Sequence, residues 1–181
     1  MALPPFTPDG VLPPGDYPLT FAELRQSLLV VGKGRSASWD AAWRLYLVQQ
    51  CEVLVRQLWT AGIQNVYLDG SFVEEKDHPN DIDGYFECDL MDFATGNLQR
   101  RLNALDPHKV WTWDKATRRP ANGFAKWQLP MWHHYRVELY PHWGQGSGIR
   151  DQYGNELTFP SAFRQRRSTY QPKGIVRVVP E

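Results

Sequence analysis

An α/β (α+β) fold is predicted by three observations on this chain. Apolar side chains recur at three- and four-residue intervals through one long stretch, Trp39 to Ala61. Short runs bounded by glycine, proline and asparagine read as strands at Val66-Tyr67-Leu68, Asp81 to Cys88, His134 to Tyr140 and Gly174 to Val179. The first of these breaks at Gly70-Ser71, a glycine turn leading into a helical start.

Taken in order, Met1 to about residue 19 is proline-rich (Pro4, Pro5, Pro8, Pro13, Pro14 and Pro18), and proline removes a donor and fixes φ. This segment is expected to run as an extended arm. Thr20 and Glu23 have the spacing of a capping box, which predicts a short helix from Phe21 that fades near Leu29. Gly32 to Ser36 reads as a loop. Trp39, Trp43, Leu47, Cys51, Leu54 and Leu58 then mark the buried face of the longest helix, with Gly62 as its stop.

After the Val66 strand, Ser71 to Lys76 is expected to make one helical turn before Pro79. Asp81 to Cys88 is expected to be a central strand and Phe93 to Leu105 a helix, with Leu98, Leu102 and Leu105 on one side. A strand near Val110 to Trp113 precedes a basic loop, Lys115 to Lys126. In the strand His134 to Tyr140, alternation places His134, Arg136, Glu138 and Tyr140 on one face. Gly144 to Gly154 reads as a glycine-rich loop, and Pro160 to Ser168 as a short basic helix with Ser161 as its cap.

The 181 residues fit a single domain, and the 20 basic and 20 acidic side chains cancel, so no global field recruits a polyanion. A neutral total still leaves room for a local basic cleft. Cys51 and Cys88 lie in apolar stretches and read as reduced core thiols, which with the absence of a signal-like N-terminus points to the cytoplasm. No apolar run approaches the roughly 20 residues of a spanning helix, so no membrane partner is expected.

The chemistry concentrates in acids. Asp81 and Asp83, one residue apart on a strand, project to one face, and Glu138, between Val137 and Leu139, can close the cluster from a neighbouring strand. Such a set suits Mg²⁺, with Mn²⁺ as a substitute, whose remaining sites are filled by phosphate oxygens and water. Gly70 and Ser71 can bring backbone amides and a hydroxyl to an anion. Lys76 and Arg136 are candidates for phosphate contacts, as is Lys126. Asp69 reads as a turn residue or a fourth acid.

Gly70-Ser71, a gap of about ten, Asp81-Ile82-Asp83 and the later Glu138 together resemble the minimal nucleotidyltransferases of the DNA polymerase β-like superfamily, over roughly residues 38 to 140. Leu68-Asp69-Gly70-Ser71-Phe72, Pro79-Asn80-Asp81-Ile82-Asp83 and Lys173-Gly174-Ile175-Val176 are similar to a small uncharacterised prokaryotic branch with toxin-antitoxin or antiphage connections. The resemblance implies a mixed sheet flanked by helices, an NTP substrate, Mg²⁺, and transfer of a nucleoside monophosphate to a hydroxyl of a protein, a tRNA or a nucleotide. It also implies a cognate antitoxin or effector as partner. Phe72-Val73-Glu74-Glu75 departs from the usual small residues after the glycine-serine pair and adds negative charge there. A catalytically inactive binding or regulatory module is the competing expectation, and a metal-dependent nuclease a third.

His133, His134 and His142 lack the spacing of a closed zinc site. Trp111, Trp113 and Trp127 can pack the core or offer stacking faces beside the basic loop. Arg164, Arg166 and Arg167 read as a solvated helix face or a contact for a nucleic-acid backbone.

Overall fold

Local capping chemistry sets the first elements. The computed structural model of the chain describes residues 3–32 and 36–181. Strand β1 (Asp16–Leu19) leads into α1 (Phe21–Arg25). The Thr20 hydroxyl accepts from the Glu23 amide at 3.2 Å, and the Glu23 carboxylate accepts from the Thr20 amide at 2.9 Å, which is the expected capping box. The helix does not run on to Leu29. Ser27 is extended, its hydroxyl accepts from the Leu29 amide, and a new turn, α2 (Leu28–Val31), ends at a left-handed Gly32. The loop expected from Gly32 to Ser36 lies in part outside the described residues, as do Met1 and Ala2.

The long helix α3 (Ala41–Thr60) is capped by Asp40, whose carboxylate accepts from the Trp43 amide at 2.9 Å. It buries Leu47, Cys51, Leu54 and Leu58 as the repeat predicts, and Gly62, at φ +90°, follows its end. Next come β2 (Val66–Asp69), a 3₁₀ turn at Gly70–Val73, and β3 (Ile82–Glu87). The helix expected from Phe93 to Leu105 is two, α4 (Leu90–Ala94) and α5 (Asn97–Leu105), because Gly96 between them is left-handed at φ +72°.

Residues 110–113 join no strand ladder; the buried Trp111 instead has its amide bonded to the Asn103 side chain. The basic loop contains a hairpin, β4 (Arg119–Ala121) with β5 (Phe124–Gln128). The strand expected from His134 starts late. Pro130 at the first helical position opens α6 (Pro130–Tyr135), and Arg136, left-handed at φ 54°, closes it before β6 (Val137–His142). The glycine-rich loop forms a second hairpin, β7 (Gly146–Arg150) with β8 (Glu156–Thr158). The short basic helix shrinks to α7 (Phe159–Ala162), whose cap position is Thr158 rather than Ser161, and β9 (Ile175–Val178) ends the described elements.

The main sheet is mixed, in the order β1-β9-β2-β3-β6, with β1/β9 and β3/β6 parallel and β9/β2 and β2/β3 antiparallel. The extended arm expected over residues 1–19 therefore ends early, since residues 16–19 are an edge strand, where Pro18 is tolerated. Leu3, Phe6 and Leu12 from the same segment are buried in the main core. Strand alternation assigns the two faces. Ile82, Phe86, Val137 and Leu139 join the main core with α3, whereas Tyr85 packs with Phe163 and Ile175 on the opposite face. Asp83 and Glu138 share that opposite face. Among the described residues no helix is long and apolar enough to cross a membrane, and Cys51 and Cys88 are free thiols.

Candidate active site

Three strands end in acids at one level. Register pairs Asp69 with Asp83 across β2 and β3, and Asp83 with Glu138 across β3 and β6. Like charges this close raise one another's pKa, and so does loss of solvent. Burial, then Asp81, Glu138 and Asp69, push the Asp83 carboxyl up to about 8. Burial also raises Asp81, against a 2.7 Å hydrogen bond from the Trp132 indole, with Glu138 adding to the rise.

Glu138 is 2% exposed and already engaged. Its carboxylate accepts from the Leu129 amide at 3.2 Å, from Arg118 at 3.4 Å and from the Tyr140 hydroxyl, while the Lys126 ammonium lies 3.5 Å away. Tyr140 is on β6 itself, whereas Arg118, Lys126 and the Leu129 amide arrive from the β4–β5 hairpin and its flanks, which explains why that loop is basic.

The turn beside the acids depends on Gly70. Its φ is +72°, and a Cβ there would stand 2.5 Å from Asp83 Oδ2. Gly70→Ala is expected to cost about 1–3 kcal/mol from the left-handed backbone and the displaced carboxylate, read as a lower urea midpoint at unchanged slope.

Two buried cations grip the same turn from opposite sides. Lys173, 3% exposed, donates to Gly70 O at 3.2 Å and to Glu74 Oε1 at 2.8 Å. It also lies 3.0 Å from Asp69 Oδ1, as an ion contact without the alignment of a hydrogen bond. Even so, burial outweighs the pull of Lys173 and holds Asp69 at about 7. From α3, Arg44 donates to the carbonyls of Leu29, Phe72, Glu74 and Lys76 at 2.6–3.0 Å and stacks on Trp39.

Asp69, Gly70, Ser71 and Asp83 line one end of a cleft of about 820 Å³ that opens toward the two hairpins and α7. Arg118, Lys126, Tyr140 and Lys173 line it as well. The remaining expected site residues are placed differently. Asp81 is turned toward Trp132, and Lys76 is exposed; neither lines the cleft, although the Lys76 charge pulls the Asp81 carboxyl down against its burial. Arg136 is not on the cleft face: it terminates α6, and its guanidinium lies 4.0 Å from the Trp132 ring. The three histidines do not converge, since His134 stacks on His108, His133 meets Arg119 O, and His142 packs edge-on to Tyr85.

The negative charge expected from Glu74 is balanced locally by Lys173 and by Arg166 at 3.2 Å. Among the described residues no three His, Cys, Asp or Glu side chains stand so that they could together hold a metal ion. What the site offers a cation is different: two aspartates whose charge is poorly compensated, and Lys126 and Arg118 standing as surrogate positive charge beside Glu138. Mg²⁺ commonly binds through one or two carboxylates with phosphate oxygens and water completing the shell, and the donor set fits that mode.

Searches of curated proteins and of solved structures gave no match. Residues 4–179 match DUF6932, a family of unknown function, and the chain belongs to that family.

Proposed function

We propose that the protein is a metal-dependent nucleotidyltransferase of the polymerase β-like kind, moving a nucleoside monophosphate from an NTP to a hydroxyl. The observation that carries this reading is the row Asp69, Asp83 and Glu138 on three adjacent strands, with Asp81 near Asp83 and the Gly70-Ser71 turn at its edge. Within that row Asp83 has no cation of its own among the described residues, and a buried carboxylate left so is costly to fold, a cost that persists where a bound cation repays it.

In this reading Asp81 and Asp83 would hold Mg²⁺ once the Asp81 carboxylate leaves the Trp132 indole, with Glu138, held by its own donors, behind them. The ion, when bound, neutralises phosphate charge and lowers the pKa of an attacking hydroxyl. The chain's own groups do the rest. The Gly70-Ser71 turn, fixed by Arg44 and Lys173, receives the triphosphate, and Lys126 and Arg118 at the cleft wall offer donors to its oxygens. The acceptor oxygen bonds to the α-phosphorus, the bond to the β-phosphate oxygen breaks, pyrophosphate leaves, and the hydroxyl proton passes to a carboxylate of the cluster.

The test is incubation of the purified protein with α-labelled NTPs, Mg²⁺ or Mn²⁺ and cell extract, with Asp83→Ala as control. Label on a macromolecule that depends on Asp83 supports the reading; no transfer with any nucleotide or either metal contradicts it. Because Glu138 is engaged by four groups of the protein itself, a second reading is a nucleotide-binding module without turnover. Tight NTP binding with no transfer would select it.

A further inference from the structure

We propose that the outer half of the cleft is a binding site for single-stranded nucleic acid. That this strand is also the hydroxyl acceptor rests on the transferase reading above; the binding itself does not.

Part of the cleft's positive charge has no internal use. Lys173 and Arg166 are matched to Asp69 and Glu74, and Arg118 and Lys126 to Glu138. Lys115, Arg150 and Arg167 line the same cleft, are exposed, and pair with no carboxylate among the described residues; Arg150 leans only on the Gly154 carbonyl at 2.6 Å. They come from three separated parts of the chain: the 3₁₀ turn at Lys115–Thr117, β7, and the segment after α7. In a chain of zero formal net charge, three unmatched cations gathered on one concave surface are a local positive field facing an incoming ligand.

Aromatic faces stand among these cations. Trp143 stacks on Phe93 with ring centroids 4.3 Å apart, both line the cleft, and Tyr170 at its rim is 37% exposed. Cations that track a backbone, interleaved with rings that accept bases, are the combination that unpaired nucleic acid requires. An acidic peptide would use the cations and leave the rings unexplained. At the acid end of the cleft Lys173, Arg118 and Lys126 are already held by Asp69, Glu74 and Glu138, so the unmatched cations that can take a strand are those of the outer half.

The experiment measures fluorescence anisotropy of the full chain with labelled single-stranded RNA, single-stranded DNA and an acidic peptide as separate probes, without NTP or divalent cation. A single strand is expected to bind, and Arg150→Ala/Arg167→Ala to weaken it about tenfold or more. The slope of log affinity against log salt should shrink by about 1.4, roughly 0.7 for each lost phosphate contact. Trp143→Ala should weaken binding at unchanged salt slope. Both cations are exposed, and a thermal melt of each variant checks that the fold survives. A preference for RNA over DNA assigns a contact to the 2′-hydroxyl, and equal binding assigns the site to backbone and bases alone. No strand bound at low salt, affinity unchanged in the double variant, or tighter binding of the peptide overturns the proposal. Asp81→Asn/Asp83→Asn keeps the two readings apart, because strand binding should survive it whether or not the wild-type protein transfers nucleotides.

Discussion

Replacing Asp83 by asparagine is expected to abolish nucleotidyl transfer and, at the same time, to stabilise the metal-free fold near pH 8. The loss of activity should be on the order of a thousandfold or more, since the substitution removes a carboxylate from the cation site. The gain in stability follows from the same group. Its folded pKa of about 8 stands above its ordinary value of 3.8, so the folded chain binds this proton more tightly than the unfolded chain. That contribution is fully present below about pH 4 and is lost as pH rises through 8. Without divalent cation, wild-type protein should therefore melt lower at pH 8 than at pH 5. The asparagine variant should lose much of that difference and gain roughly 2 kcal/mol at pH 8. An active variant, or one that melts below wild type at pH 8, would falsify the assignment of Asp83.

Arg44→Met is expected to be the most damaging single change to stability. The side chain is fully buried with no carboxylate among the described residues bonded to it, and burial lowers its pKa to about 10. Its guanidinium is held by four carbonyls instead: one at α2 and three along the segment from Phe72 to Lys76. Methionine fills part of the volume and leaves those acceptors unsatisfied, at a cost of about 3–5 kcal/mol. For a chain of this size that is a fall of about 10 °C in Tm. Lysine should not rescue it, because one ammonium cannot reach four carbonyls arranged around a planar fork. Calorimetric melts of wild type and both variants decide this, and a methionine variant within 1–2 °C of wild type would show that the strut is dispensable.

How much of this was legible in the sequence depends on how far apart the partners are. The capping box at Thr20, the helix through Leu47 and Leu58, and the turn at Gly70 rest on residues within a few positions of one another, and each is found where local chemistry puts it. Alternation failed at His134. The same polar-apolar order also serves a helix with Met131, Trp132 and Tyr135 inward, and Pro130 at its first position was the available signal. Arg44 could have been found, because it lies on the stripe that continues through Leu47, Val48 and Cys51, where a charge must have buried partners. The placement of Asp69 beside Asp83 and of Lys173 under Gly70 could not, since strand register and contacts across about a hundred residues leave no local trace.

The most direct test of the account is a calorimetric titration of a nonhydrolysable NTP into the wild-type chain and into Asp81→Asn/Asp83→Asn, each with and without Mn²⁺. Binding by wild type that Mn²⁺ strengthens tenfold or more, and that the double variant loses, is the predicted result. Nucleotide binding equally strong without the metal, or untouched by removal of the two aspartates, would contradict the claim that these acids and the Gly70-Ser71 turn form one metal-nucleotide site.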